Sequence, residues 1–317
     1  MLDHCGRTID YLRISLTPNC DLNCFYCQPE KQETPISHLL TPEEIERFVL
    51  AAATLGVSHV RLTGGEPLLR PDLEDIIRRI AAVQGISDVS LTTNAQSLAL
   101  RAASLKAAGL NRVNISLDTL SPERYRRFTD GGQLERVFAG INAAEAIGLL
   151  PIHLNVVVIK GVNDDEINDL ARLTLLHSWD VRFIELMSIG VTRSLDQRQL
   201  LSANDIWRQL GEPEKEPSGI GAGPAKYFRL PGALGRVGLI SAVSDHFCAL
   251  CNRIRLTSLG RLRLCLLSEQ ELDFRALLRE GVPIRKLASR LREAISDKPV
   301  SQPSLPSATR RMSEIGG

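Results

Sequence analysis

The stretch Ile9-Asp10-Tyr11-Leu12-Arg13-Ile14-Ser15-Leu16-Thr17-Pro18-Asn19-Cys20-Asp21-Leu22-Asn23-Cys24-Phe25-Tyr26-Cys27 joins an alternating run of apolar and polar residues to a loop with three cysteines. The alternation predicts a strand over Ile9 to Leu16, with one parity of side chain turned to a core. Working outward, strand-like runs recur at Val60 to Thr63, Val89 to Thr93, Val113 to Asp118, Leu154 to Ile159 and Val181 to Met187. Helical signals separate them.

The clearest helical signal is Thr41-Pro42-Glu43-Glu44, a capping box with proline at the first helical position, followed by Ile45, Phe48, Val49 and Ala52 on one apolar face. Ser121-Pro122 and Ser202-Ala203-Asn204-Asp205 predict further helix starts, and Gly109, Gly148 and Gly211 stand where helices end. Six β–α units in a row predict an α/β fold, an incomplete (βα)6 barrel of the TIM type over residues 1–211. In such a fold, sites are built on the loops that leave the strands' C-terminal ends.

From Gly211 to Gly223 the composition shifts to Gly, Pro, Glu and Lys, which predicts a linker. A smaller region, 224–295, follows. It has strand-like Tyr227 to Leu230 and Val237 to Ser241, and helical Leu272 to Leu278 and Ile284 to Ile295. Residues 298–317 are rich in Ser and Pro and end in Gly316-Gly317, the composition of a flexible tail.

The 317 residues are 44% hydrophobic and 24% charged, an ordinary globular balance. A net charge of +1, with eight Phe, four Tyr and two Trp, gives neither the field nor the stacking surface of a dedicated nucleic-acid binder. The first thirty residues lack the pattern of a signal peptide and no run is long enough to span a membrane, so a cytoplasmic location is expected.

The seven cysteines fall as Cys5, then Cys20, Cys24 and Cys27, then Cys248, Cys251 and Cys265, which suits metal ligation better than disulfides. Three thiolates spaced C-x3-C-x2-C can take three iron corners of one cubane and leave the fourth iron open. A structural zinc site needs four closed ligands, and Cys5 lies beyond a predicted strand. The second group, C-x2-C-x13-C, again offers three thiols. His246 could complete a zinc site, but it stands only two residues from Cys248. Arg253-Ile254-Arg255-Leu256 and Arg261-Leu262-Arg263-Leu264 alternate beside these cysteines, so each pair of arginines shares a strand face. They form either a solvated polar face or guanidinium forks for a phosphorylated substrate. Arg253 and Arg255 are the stronger candidates.

The first loop, with Tyr26 directly before the third cysteine, resembles the signature of radical S-adenosylmethionine enzymes, and Thr63-Gly64-Gly65-Glu66-Pro67 resembles a second motif of that family. The resemblance implies a 4Fe–4S cluster on Cys20, Cys24 and Cys27 whose open iron chelates S-adenosylmethionine. It also implies formation of a 5′-deoxyadenosyl radical and a cofactor pocket lined by Tyr26, Gly65, Ser116 and Met187.

Further matches at Arg61-Leu62-Thr63, Thr92-Thr93-Asn94, Ser116-Leu117-Asp118, Arg182-Phe183-Ile184-Glu185, Phe247-Cys248 through Cys265 and Gly316-Gly317 resemble the GTP-cyclising branch of this family. That likeness implies a second 4Fe–4S cluster on Cys248, Cys251 and Cys265, and GTP contacts from Arg13, Arg61, Thr92, Arg253 and Arg255. It implies a lyase that removes H3′ of GTP and joins C3′ to C8 at the first step of molybdenum cofactor biosynthesis. A homodimer is implied too, with Gly316 and Gly317 entering the active site and a cyclic pyranopterin monophosphate synthase acting downstream. His153, Ala95 and Gln28 depart from the family's usual lysine, glycine and methionine, and Cys5 matches nothing. The alternatives are a peptide-modifying radical enzyme with an auxiliary cluster, whose C-terminal domains usually bring more cysteines, and a non-catalytic metal-binding sensor.

Overall fold

The computed structural model describes residues 1–28, 33–194, 199–211, 213, 223–301 and 310–316. In chain order the strands are β1 (Tyr11–Ser15), β2 (His59–Thr63), β3 (Asp88–Thr93), β4 (Arg112–Ser116), β5 (His153–Val158), β6 (Asp180–Glu185), β7 (Lys226–Phe228), β8 (Arg236–Ile240), β9 (Arg253–Leu256), β10 (Arg261–Arg263) and β11 (Leu272–Asp273). The helices are α1 (Pro42–Ala53), α2 (Leu73–Ala81), α3 (Leu98–Ala107), α4 (Pro122–Thr129), α5 (Leu134–Ala146), α6 (Ile167–Leu176), α7 (Ala203–Gln209), α8 (Arg275–Arg279), α9 (Ile284–Ser296) and α10 (Met312–Ile315). Two compact units result: Met1–Thr92 with Ala103–Asn111 and Cys248–Gly317, and Thr93–Ala102 with Arg112–Phe247. Most of the expected linker lies outside the described residues.

In the first unit β1 pairs in parallel with β2 on one side and β9 on the other; β2 continues to β3, and β9 to β10 and β11 antiparallel. Alternate residues therefore sort onto two faces. One carries Leu12, Ile14, Val60, Leu62, Val89, Leu91, Ile254, Leu256 and Leu262, all buried. Burial of each such side chain contributes about 1.5–3 kcal/mol. The opposite face is polar, and the register makes it a row: Arg263, Arg255, Arg13, Arg61 and Ser90 stand side by side.

Helix α1 begins as its sequence dictates. Thr41 Oγ1 accepts from Glu44 N at 3.2 Å, and the Glu44 carboxylate accepts from Thr41 N at 2.9 Å. Its apolar face packs toward α2 and α9, and Phe48 meets Phe274 edge-on at 5.4 Å. The helix expected from Leu272 begins only at Arg275. Leu272 and Asp273 pair with Leu262 and Arg261 instead, Arg261 and Asp273 form an ion pair at 2.8 Å, and Asp273 accepts from Arg275 N at 2.9 Å. An aspartate is worth more before a helix than inside one.

In the second unit β4, β5, β6 and β8 run parallel, and β7 closes on β8 antiparallel. Ser121 and Ser202 cap α4 and α7. Strand β6 stops at Glu185, short of the expected Met187. The buried Glu185 carboxylate accepts from Ala203 N at 2.6 Å, Val243 N at 2.7 Å and Ser244 N at 2.8 Å. Among the described residues no helix is long and apolar enough to cross a membrane.

Candidate functional site

The first cysteine loop leaves the C-terminal end of β1 and is held there by the glycine pair after β2. Gly65 N donates to Thr17 O at 2.6 Å and Glu66 N to Asn19 O at 2.8 Å. A Cβ at Gly65 would lie 2.6 Å from Pro18 O and closer still to Asn19 O, and one at Gly64 would collide with Thr17 O. The close approach that requires glycine is therefore to the chain's own backbone at residues 17–19, just before Cys20. Within the loop, Cys27 N and Gln28 N both donate to Cys24 O, at 2.9 and 2.8 Å, and the Phe25 and Tyr26 rings meet edge-on.

None of the seven cysteines is in a disulfide. Burial pushes Cys20 up to about 12, with Glu66 adding to it and the Leu22 N–H opposing. Burial pushes Cys27 up to about 11, against the Ser313 N–H and the Arg311 charge. As ligands both must be thiolates, and a bound metal centre supplies the positive charge that ionises them.

The second group is assembled by the β9–β10 hairpin. Cys251 precedes β9 by two residues and Cys265 follows β10 by two, so the antiparallel pairing returns them to one end. Cys248 joins through a single helical turn, with Cys251 N donating to Cys248 O at 3.2 Å. Burial is the largest influence on Cys251 and raises it, but Arg253 and Lys298 together hold it at about 7. Because β9 runs parallel to β1, this group sits at the end of the strand pair opposite the first loop. The first group thus follows the C-terminal end of β1, and Cys251 of the second stands before the N-terminal end of β9.

Between the two groups lies the arginine row. Arg13, Arg61 and Arg255 are neighbours by register, Arg253 stands opposite Tyr11, and the Arg61 guanidinium lies 5.4 Å above the Tyr11 ring. Arg263 is neutralised by Glu271 at 2.8 Å. Burial and the charges of Arg255, Arg61 and Arg253 push Arg13 well down, and burial with Arg253 pushes Arg255 down to about 9. Among the described residues, Arg13 Nε and Thr92 Oγ1 are buried without hydrogen-bond partners. Such a surface is built to receive a multiply charged anion that also accepts hydrogen bonds.

The chain's end reaches the same place. Helix α10 leads to Gly316, whose carbonyl accepts from Arg255 Nη1, and a Cβ there would strike Thr63 Oγ1. Gly316 has φ +72 and is buried; Gly317 lies outside the described residues. Nothing in the Ser- and Pro-rich composition signalled α10, the buried Ser313 or the buried Lys298.

Ser116, at the end of β4, and Met187, two residues past β6, belong to the second unit. So does His153, whose Nδ1 is 3.1 Å from Asn114 Oδ1 and whose Nε2 is 3.2 Å from Asp180 Oδ2. Burial, helped by Arg182, pushes it down to about 3 against the pull of Asp180, so the imidazole is neutral at pH 7.

Residues 14–174 match the Radical SAM superfamily, and residues 179–303 match Molybdenum Cofactor Synthesis C. The chain is 46% identical to a GTP 3′,8-cyclase of Pelotomaculum thermopropionicum and 47% identical to one of Heliobacterium modesticaldum, each over the whole of both chains. It is 44% identical to the GTP 3′,8-cyclase of Listeria monocytogenes over 99% of this chain and 98% of that one. Among solved structures, Streptococcus suis SuiB bound to S-adenosylmethionine matches with a TM-score of 0.66 at 16% identity, over 90% of this chain and 68% of that chain. A second, anSMEcpe with bound AdoMet, gives a TM-score of 0.51 at 16% identity, over 64% of this chain and 59% of that one. At these identities the structural likeness bears on the fold, which agrees with the expected α/β class.

Proposed function

The chain belongs to the radical SAM superfamily and to the GTP 3′,8-cyclases within it, and on that premise we propose that it converts GTP to (8S)-3′,8-cyclo-7,8-dihydroguanosine 5′-triphosphate. The observation that carries this is the register of β1, β2 and β9: it sets Arg13, Arg61 and Arg255 side by side on one strand face between two groups of three thiols. A strand rises about 3.3 Å per residue, so the face from Arg253 to the level of Ser15 runs roughly 13 Å, room for a nucleotide.

Cys20, Cys24 and Cys27 hold one 4Fe–4S cluster, and Cys248, Cys251 and Cys265 hold the other. The donor sets fit in kind, since each offers three thiols and no fourth cysteine, which would leave one iron for a small molecule; among the described residues no three such side chains are drawn together tightly enough to hold a single ion. When bound, the first cluster with S-adenosylmethionine supplies the radical that takes H3′ from the ribose. Tyr26, Gly65, Ser116 and Met187 line that cofactor. Arg13, Arg61, Arg253, Arg255 and Thr92 bind GTP and hold its ribose in one orientation, which is worth more to rate than any proton they could move. Gly316 completes the substrate's surroundings beside Arg255; Gly317, also assigned there by the family resemblance, lies outside the described residues. The match of residues 179–303 to Molybdenum Cofactor Synthesis C favours this over a peptide-modifying enzyme with another auxiliary domain.

The enzyme is a lyase and acts in the cytoplasm as a homodimer at the first step of molybdenum cofactor biosynthesis. Its product is consumed by a cyclic pyranopterin monophosphate synthase. The test is anaerobic incubation of the reconstituted protein with S-adenosylmethionine, dithionite and GTP. The expected result is 5′-deoxyadenosine together with a cyclised, GTP-derived nucleotide. Formation of 5′-deoxyadenosine with no such nucleotide would sink the assignment, and a protein that holds only zinc would point to a sensor.

A further inference from the structure

Lys298 stands in the stretch whose composition predicts a flexible tail, yet it is only 2% exposed. Its ammonium donates to Arg253 O at 2.8 Å and to Leu264 O. Arg253 lies two residues after Cys251, and Leu264 directly precedes Cys265. One cation therefore bridges the two strands that present these ligands.

Arg7 works beside it. Arg7 Nη1 donates to Cys248 O at 2.9 Å, and Nη2 donates to Lys298 O at 3.2 Å and Pro299 O at 2.8 Å. All three cysteine segments of the second group are thus tied by two buried cations. The two differ in one respect: Arg7 is balanced by Asp3 at 2.6 Å, whereas among the described residues the Lys298 ammonium bonds only to carbonyls. Burial, with the charges of Arg7 and Arg253, pushes Lys298 down, against the pull of Cys251 and Cys265. A buried ammonium without a counter-charge costs several kcal/mol, so the fold would not retain one cheaply. A 4Fe–4S centre ligated by three thiolates is net negative, and its reduced form more so.

We propose that Lys298 is a positioning residue of the second iron–sulfur centre: it fixes the spacing of the Cys251 and Cys265 segments and supplies the buried positive charge that favours the centre's reduced form. The proposal rests on the assignment of Cys248, Cys251 and Cys265 to a 4Fe–4S cluster. Nearby charge and hydrogen bonding are among the determinants of a cluster's potential, and a cation close by raises it.

The test compares native protein, Lys298→Gln and Lys298→Arg, each reconstituted anaerobically as the full chain. Iron and sulfide are counted, and the midpoint of the second centre is followed by EPR during redox titration. Glutamine keeps two N–H donors for the carbonyls but drops the charge; arginine keeps both. Lys298→Arg is expected to hold about eight irons with a near-native midpoint. Lys298→Gln should either retain only the first cluster, about four irons, or assemble both with the second centre harder to reduce by about tenfold in its reduced-to-oxidised ratio, about 59 mV for one electron. Full iron and an unchanged midpoint in Lys298→Gln would overturn the proposal. Should that variant fail to fold, Lys298→Arg decides: a folded protein lacking the second cluster overturns it, and a full complement at the native midpoint supports it. Native protein with only about four irons would instead remove the cluster assignment beneath it, an outcome visible before any variant is made.

Discussion

Arg13, Arg61 and Arg255 are costly neighbours. Like charges directly across adjacent strands repel, by ~3 kcal/mol for a pair about 5 Å apart at an effective dielectric near 20. The cost would be offset by a polyanion lying over the row. Arg255→Ala should weaken GTP binding by about 1.5–3 kcal/mol, read by equilibrium titration of the holoprotein; an unchanged affinity would contradict the role given to this row.

His153 makes a second prediction at this scale. The unfolded chain takes a proton on this residue below about pH 6.5. The folded chain refuses it until about pH 3, because burial and Arg182 disfavour the imidazolium. The unfolded state therefore binds more protons across that window, and stability falls as pH drops through it. Urea unfolding at pH 7 and pH 5 should show a smaller loss of stability in His153→Gln than in the native chain, and an equal loss would show that His153 is not the group responsible. The substitution at position 153 was plain in the sequence. Its burial against Asn114 and Asp180 was not, because those partners lie 39 and 27 residues away in sequence and nothing local encodes the pairing.

At the scale of elements, the turn after β2 acts on the loop after β1. The structure sets the backbone of residues 17–19 against Gly64 and Gly65, leaving no room for a side chain at either position. Sequence could show that something must come close, but not what. Gly65→Ala forces the cysteine loop away from β2, an overpacking cost of about 1–3 kcal/mol, and should lower iron at the first site while sparing the second. Iron counted in Gly65→Ala and in Gly316→Ala separates two roles. Position 316 meets Thr63 and accepts from Arg255, and its variant should keep both clusters while losing cyclisation. Full iron in Gly65→Ala would contradict the clamp. Capping boxes and strand alternation were legible because they are local. The strand at Leu272 was misread as helix because its partner, Leu262, is set by a hairpin register that periodicity does not reveal.

For the whole molecule, the decisive arrangement is a pairing between positions some 240 residues apart. Arg253 faces Tyr11 and Arg255 faces Arg13, which carries the second cysteine group to the far end of the strand that launches the first. Both groups, their spacing and their arginines could be read from the sequence, along with six β–α units and the family. Their assembly within one compact unit could not, since the cysteines fall at opposite ends of the chain and no residue between them signals the return. Two buried cations, Arg7 and Lys298, fasten that return, and neither belongs to a recognisable motif. The most direct test of the account is turnover of GTP deuterated at C3′ with S-adenosylmethionine and dithionite. It predicts deuterium in the 5′-deoxyadenosine formed and a cyclised nucleotide in step with it. Unlabelled 5′-deoxyadenosine, with GTP recovered unchanged, would contradict it.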